Sequence, residues 1–135
     1  MPTGQDVIDA ARKYIGVKWQ HQGRSKFGID CVGLIVKTAE DLSIPAEDHR
    51  GYHRYPDGHL LLKLLREQCT EIPVSEAKMG DILIIMGNHK RPMHAAFKVD
   101  DTTILHAWLY RRKVVESGFE QFEDITAAFR FKEAI

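Results

Sequence analysis

The apolar residues of this 135-residue chain change their spacing once. Up to about residue 68 they recur at helical intervals, and beyond it they fall in short strand-like runs. Val7, Ala10, Ala11, Tyr14 and Ile15 predict a first helix, opened by a Thr3/Asp6 cap and ended by Gly16. A second helix is expected from Asp30 or Cys31 to about Leu42, burying Val32, Ile35, Val36, Ala39 and Leu42. A short third runs from His59 to Gln68 with Leu61, Leu64 and Leu65 inward. Strands are expected at about 70–74, 81–86, 94–99, 103–109, 113–117 and 126–131. Residues 17–29 read as an irregular loop and 43–58 as a polar, aromatic-studded connection. Helices first and strands second, without a βαβ alternation, give an α+β class: N-terminal helices packed on a C-terminal antiparallel sheet.

The length fits one domain spanning 1–135, and a 44% apolar share suffices for a core at that size. Lys+Arg and Asp+Glu balance at 19 each, which argues against a nucleic-acid partner. No apolar run approaches the ~18 residues of a membrane span. The start, Met1 to Asp6, lacks the basic and apolar stretches of a secretory signal, so synthesis without a signal peptide, in the cytoplasm, is the expectation. A reducing compartment disfavours a disulfide between Cys31 and Cys69, the only cysteines. Two free thiols are expected, with Cys69 a semi-buried spectator.

Cys31 lies in Gly28-Ile29-Asp30-Cys31-Val32-Gly33-Leu34, where a loop becomes a helix. Unpaired backbone N–H groups and the helix dipole favour a thiolate at such a place. Gly33 allows backbone to approach the thiol, and the Cys31 N–H is suited to an oxyanion hole. His94 and His106 fall in strand-like segments downstream. Cys31 as nucleophile, His94 as base and then acid, and His106 as the group orienting the His94 ring form a cysteine-hydrolase constellation. That constellation needs both rings on one sheet face. A two-residue turn at Asp100-Asp101 would pair 99 with 102 and separate the rings. A three-residue connection over 99–101 pairs 98 with 102 and sets His94 directly opposite His106, so the odd-length loop is predicted. Zinc is the rival use of the three residues, but no C-x-x-C or H-E-x-x-H spacing accompanies them. His49, His53, His59 and His89 lie in polar segments and read as solvated. No metal and no cofactor is expected.

Asp30-Cys31-Val32-Gly33-Leu34, His94 and His106 together resemble the NlpC-type cell-wall peptidases, papain-like cysteine enzymes that cleave peptidoglycan stem peptides. Tyr14 to Ser25 is similar to the family's loop before the nucleophile, and Gly80-Asp81-Ile82-Leu83 to its Gly-Asp strand start. His21-Gln22, Arg111 to Glu116 and Ala127 to Phe131 resemble the short, single-domain branch that tailed phages and prophages encode as a tail-assembly or tail-tip peptidase. The resemblance implies a papain-like fold, a Cys31–His94–His106 triad and a peptidoglycan peptide as substrate. It also implies phage tail proteins as partners and a virion-associated role at the cell wall. Asp30 corresponds to a residue that holds the substrate's free amine in relatives; a helix cap is the equal alternative. Trp19 and His21 occupy substrate-binding positions, although many members carry Tyr and Trp there. Two other functions fit the same residues: a catalytically silent structural tail subunit, and an amidase or acyltransferase on another substrate.

Overall fold

In a computed structural model, the structure describes residues 1–48, 59–85, 94–118 and 125–134. The first helix, α1, spans Gly4–Arg12. Thr3 caps it: the Thr3 hydroxyl accepts from the Asp6 N–H at 3.1 Å, and the Asp6 carboxylate accepts from the Thr3 N–H at 2.8 Å. A cap of this kind stabilises a helix by about 1 kcal/mol. The helix ends four residues before Gly16, so Ile15, expected on its buried face, is exposed in the turns that follow. Tyr14 stays buried and its hydroxyl donates to Asp41 at 2.7 Å, tying this turn to the end of the next helix.

The expected irregular loop contains a two-stranded ribbon, β1 (Arg24–Ser25) and β2 (Gly28–Ile29). Helix α2 follows at Cys31–Asp41, capped by Asp30, and buries Val32, Leu34, Ile35, Val36 and Ala39. Helix α3 spans His59–Gln68, with Leu61, Leu64 and Leu65 buried as its spacing predicts. The strands are β3 (Cys69–Ile72), β4 (Ile82–Ile85), β5 (His94–Lys98), β6 (Thr103–Trp108), β7 (Lys113–Gly118) and β8 (Ile125–Phe131). They form a six-stranded antiparallel sheet in the order β3-β8-β4-β5-β6-β7. Cys69 is buried rather than semi-buried, and both cysteines are free.

Alternation along the strands divides the sheet. Ile82, Ile84, Ala95, Phe97, Leu105, Ala107 and Phe129 join side chains of all three helices in the main core. Leu83, Ile85, Ala96, Ile104 and Ala128 form a smaller cluster on the other face. His94 pairs with Ile85, and His106 alternates with Ile104, so both histidines belong to this second face. Among the described residues no helix is long and apolar enough to cross a membrane. From residue 49 on, the expected 43–58 connection lies outside the described residues, as do His49, His53, His89, residue 86 and the His59 side chain.

Candidate active site

The hairpin between β5 and β6 decides where the histidines meet. Val99 donates to the Thr103 carbonyl at 2.9 Å, enclosing the three residues 100–102. The odd-length loop is therefore present, but one residue later than predicted. Lys98 pairs with Ile104 and Phe97 with Leu105, not 98 with 102. Extended along both strands, this register sets His106 opposite Ala96 instead of His94. The two rings share a face and meet on the diagonal, within reach of imidazoles. Their centroids are 4.8 Å apart, and His94 Nε2 lies 2.6 Å from His106 Nδ1.

A chain of hydrogen bonds continues past them. His106 Nε2 lies 2.7 Å from the Ser117 hydroxyl on β7. Proton positions follow from mutual consistency. For His94 to present a lone pair at Nδ1, its Nε2 must carry the proton and donate to His106 Nδ1. His106 must then carry its own proton on Nε2 and donate to Ser117 Oγ. Trp108, two residues on, stacks on His106 with centroids 5.1 Å apart. Ser117 was not anticipated from the sequence. Its only signal there is a small hydroxyl two residues from Val115, which pairs with His106.

The thiol comes from the other side of the sheet. Lys98 donates to the Asp81 carbonyl and Val99 to the Thr103 carbonyl, so successive residues of β5 face β4 and β6 in turn. Ala95, in phase with Val99, faces β6. The registered pairs between β5 and β6 stop at Phe97, and the Ala95 N–H lies near enough to the Cys31 sulfur to favour its anion. The start of α2 thus brings its nucleophile toward the backbone of Ala95, the residue that follows His94 in β5. Cys31 is half-buried there.

The ribbon before α2 locks that helix start in place. Asp30 accepts from Gly33 N–H at 2.8 Å, from Gln22 N–H at 2.7 Å and from the Arg24 guanidinium at 3.1 Å. The Asp30–Arg24 pair is buried, and Arg24 also bonds Asp48 at 2.9 Å. Gln22 takes the left-handed conformation (φ 59°) that aims its N–H at the carboxylate. A Cβ on Gly33 would collide with the Gly23 carbonyl, which is why helix and ribbon can pack this closely. Asp30 therefore serves as the cap. Trp19 packs against the main core, and its N–H donates to the Arg112 carbonyl at 2.8 Å. His21 follows, half-buried, in the turn before Gln22.

Electrostatics correct one expectation. Burial pushes the Cys31 thiol up to about 12, and the neighbouring Asp30 carboxylate pushes the same way. The Ala95 and Val32 N–H groups and Arg24 oppose this without prevailing. The cap that starts the helix also neutralises the positive end that would have favoured a thiolate. Burial likewise holds His94 down at about 4. His106 lies near 2, through burial and the repulsion of His94. At rest the thiol is protonated and both imidazoles are neutral. The proton must move during the reaction rather than before it.

Among the described residues no three His, Cys, Asp or Glu side chains gather in a way that would hold a metal ion. No curated protein matches the chain in sequence. Solved structures do. An NlpC/P60 family protein from Bacillus cereus superposes with a TM-score of 0.74 at 19% identity over 96% of this chain, which spans 40% of that protein's length. The NlpC/p60 domain of the peptidoglycan hydrolase SagA gives 0.67 at 25% identity, covering 95% of this chain and 98% of that one. RipD from Mycobacterium tuberculosis, a non-catalytic NlpC/p60 domain protein adapted to peptidoglycan binding, gives 0.62 at 14% identity over 94% and 95% of the two chains. These likenesses establish the papain-like α+β fold, and with the NlpC/P60 family model matching residues 16–124, the chain belongs to the NlpC/P60 family.

Proposed function

We propose that this protein is a cysteine peptidase that hydrolyses an amide bond in peptidoglycan stem peptides, with residues 1–135 acting as one catalytic domain. The observation that carries the reading is the line of hydrogen-bonding groups from Ser117 through His106 to His94, with Cys31 at the start of α2 near the backbone that follows His94. A structural scaffold has no use for a half-buried and a fully buried imidazole held at 2.6 Å, because desolvating them costs free energy.

In this mechanism His94 Nδ1 takes the Cys31 proton as the sulfur bonds to the scissile carbonyl carbon. The Cys31 N–H donates to the oxyanion, a contribution of about 3 kcal/mol for one such donor. The C–N bond then breaks, and His94 returns the proton to the departing amine. His94 next deprotonates a water that attacks the thioester, and Cys31 leaves as the thiol. His106 stabilises the transient imidazolium and keeps its Nδ1 aimed at sulfur. In this reading Trp19 and His21 contribute to substrate placement, and Asp30 does so through the geometry it imposes on the start of α2. The setting we infer is a phage or prophage tail acting at the cell wall. It is supported by the likeness of His21-Gln22 and of residues 111–116 and 127–131 to that branch.

One observation favours a second reading, a non-catalytic tail subunit that binds wall peptides: burial keeps the Cys31 thiol protonated at rest. Turnover separates the two. Cys31→Ala and His94→Ala should each abolish cleavage of purified muropeptides followed by mass spectrometry, with the fold retained. Cleavage by a clean Cys31→Ala preparation excludes the mechanism, and an inert native protein leaves the binding role.

A further inference from the structure

A row of side chains leads from the two histidines to a pair of cations that no carboxylate of the described residues pairs with. On the second face of the sheet His106 is followed by Trp108, which pairs directly with Lys113 on β7. Lys113 in turn bridges Lys18, on the strap of residues 16–20 that runs between β7 and β2. Residues directly opposite in an antiparallel bridge share a face, and like charges placed so repel. Both lysines are exposed, and so are their neighbours Arg111 and Arg112. Among the described residues none of these four cations has a carboxylate partner; Lys13, Lys26, Lys63, Lys78 and Lys132 share that state but are scattered, whereas these four fall within one strap and one strand start. In a chain of zero formal charge this is a local segregation of charge. The bridge sets the stems of Lys18 and Lys113 on one face at neighbouring positions, where an anionic ligand would relieve the repulsion of their charges.

The strap also joins the pair to the nucleophile. The Ile29 N–H donates to the Lys18 carbonyl at 2.9 Å, and Ile29 lies two residues before Cys31. From the His106 strand to Lys18 is two strand spacings, roughly 10 Å. About three extended peptide residues cover that distance.

We propose that Lys18 and Lys113 form a carboxylate-binding subsite, with Trp108 as its floor, that reads acidic groups of the peptide about three residues from the scissile bond. This rests on the hydrolase reading for its substrate but not for its test. The Cys31→Ala protein binds peptide without turning it over. Its affinity is to be measured for synthetic stem peptides identical except for carboxylate or carboxamide groups. The carboxylate form should bind about fivefold tighter at low salt, the scale of two solvent-exposed ion pairs, and added salt should erase the difference. Lys18→Gln with Lys113→Gln, which removes both charges, should bring the ratio to about one, and Lys18→Glu with Lys113→Glu should invert it. Discrimination that survives the double substitution, or equal binding of both peptides to the starting protein, overturns the subsite. So does a poly(glycerol phosphate) that binds the lysine pair more tightly than the peptide. Lysine-dependent discrimination in a protein that cleaves nothing would keep the subsite and remove the hydrolase. Cleavage without such discrimination would do the reverse.

Discussion

Replacing Ser117 by alanine tests whether the histidine line is a working relay. His106 is fully buried, and its Nε2–H is directed at Ser117 Oγ over 2.7 Å. Alanine leaves that N–H without the hydroxyl, and a buried donor stripped of its partner costs about 1–3 kcal/mol. The ring has an escape: it can move its proton to Nδ1 and point that proton at His94 Nε2. His94 must then protonate Nδ1, the position from which it would accept the Cys31 proton. The fraction of protein with a competent base falls accordingly. If the whole penalty is expressed this way, kcat/KM drops by about 5- to 150-fold, since ~1.4 kcal/mol is a factor of ten. Ser117→Thr restores a hydroxyl on a strand that tolerates a β-branched residue, and it should recover most of the loss. The assay is muropeptide hydrolysis across pH 5–8, alongside ¹⁵N imidazole shifts that report which nitrogen of each ring is protonated. A destabilised but otherwise unchanged enzyme would lower the unfolding midpoint and leave those shifts alone. Native kcat/KM and native tautomers in Ser117→Ala would refute the relay.

Two further outcomes follow from the buried charges and rings. Arg24→Ala strips the buried Asp30 carboxylate of its counter-ion and loosens the ribbon before α2, so urea unfolding should show a loss of about 3–5 kcal/mol. His94 and His106 are held below their ordinary value of 6.5, so the unfolded chain takes up protons first as pH falls. Stability is complete above about pH 6.5 and is lost progressively through pH 4 and toward 2. The limiting slope is about 1.4 kcal/mol per pH unit for each histidine. Replacing His94 with Asn should remove part of that slope, and an unchanged urea midpoint between pH 7 and 4.5 in the native protein would contradict it.

Much of the architecture follows from side-chain spacing alone. Leu61, Leu64 and Leu65 mark α3, and Asp30 marks the start of α2 three residues before the N–H it caps, because both signals are local. The ribbon at Arg24–Ile29 escaped notice because strands of two residues carry no periodicity. The exposure of Ile15 escaped for a related reason: the chain leaves the helix after Arg12 while its apolar spacing continues.

What the sequence determined by itself is the cast of the candidate site: a cysteine at a helix start and two histidines whose parity, given an odd loop, places them on one sheet face. The tertiary structure decided how these groups are poised. Hairpin register turned an opposite pair into a diagonal one and brought Ser117 behind it. Registered pairing of β5 with β6 ends at Phe97, leaving the Ala95 N–H near the sulfur. Burial, aided by the Asp30 carboxylate, then reversed the expected charge of the thiol. Helix caps and strand alternation act over a few residues and can be read along the chain. Register and desolvation are set by everything packed around a group, so they exist only once the chain has folded.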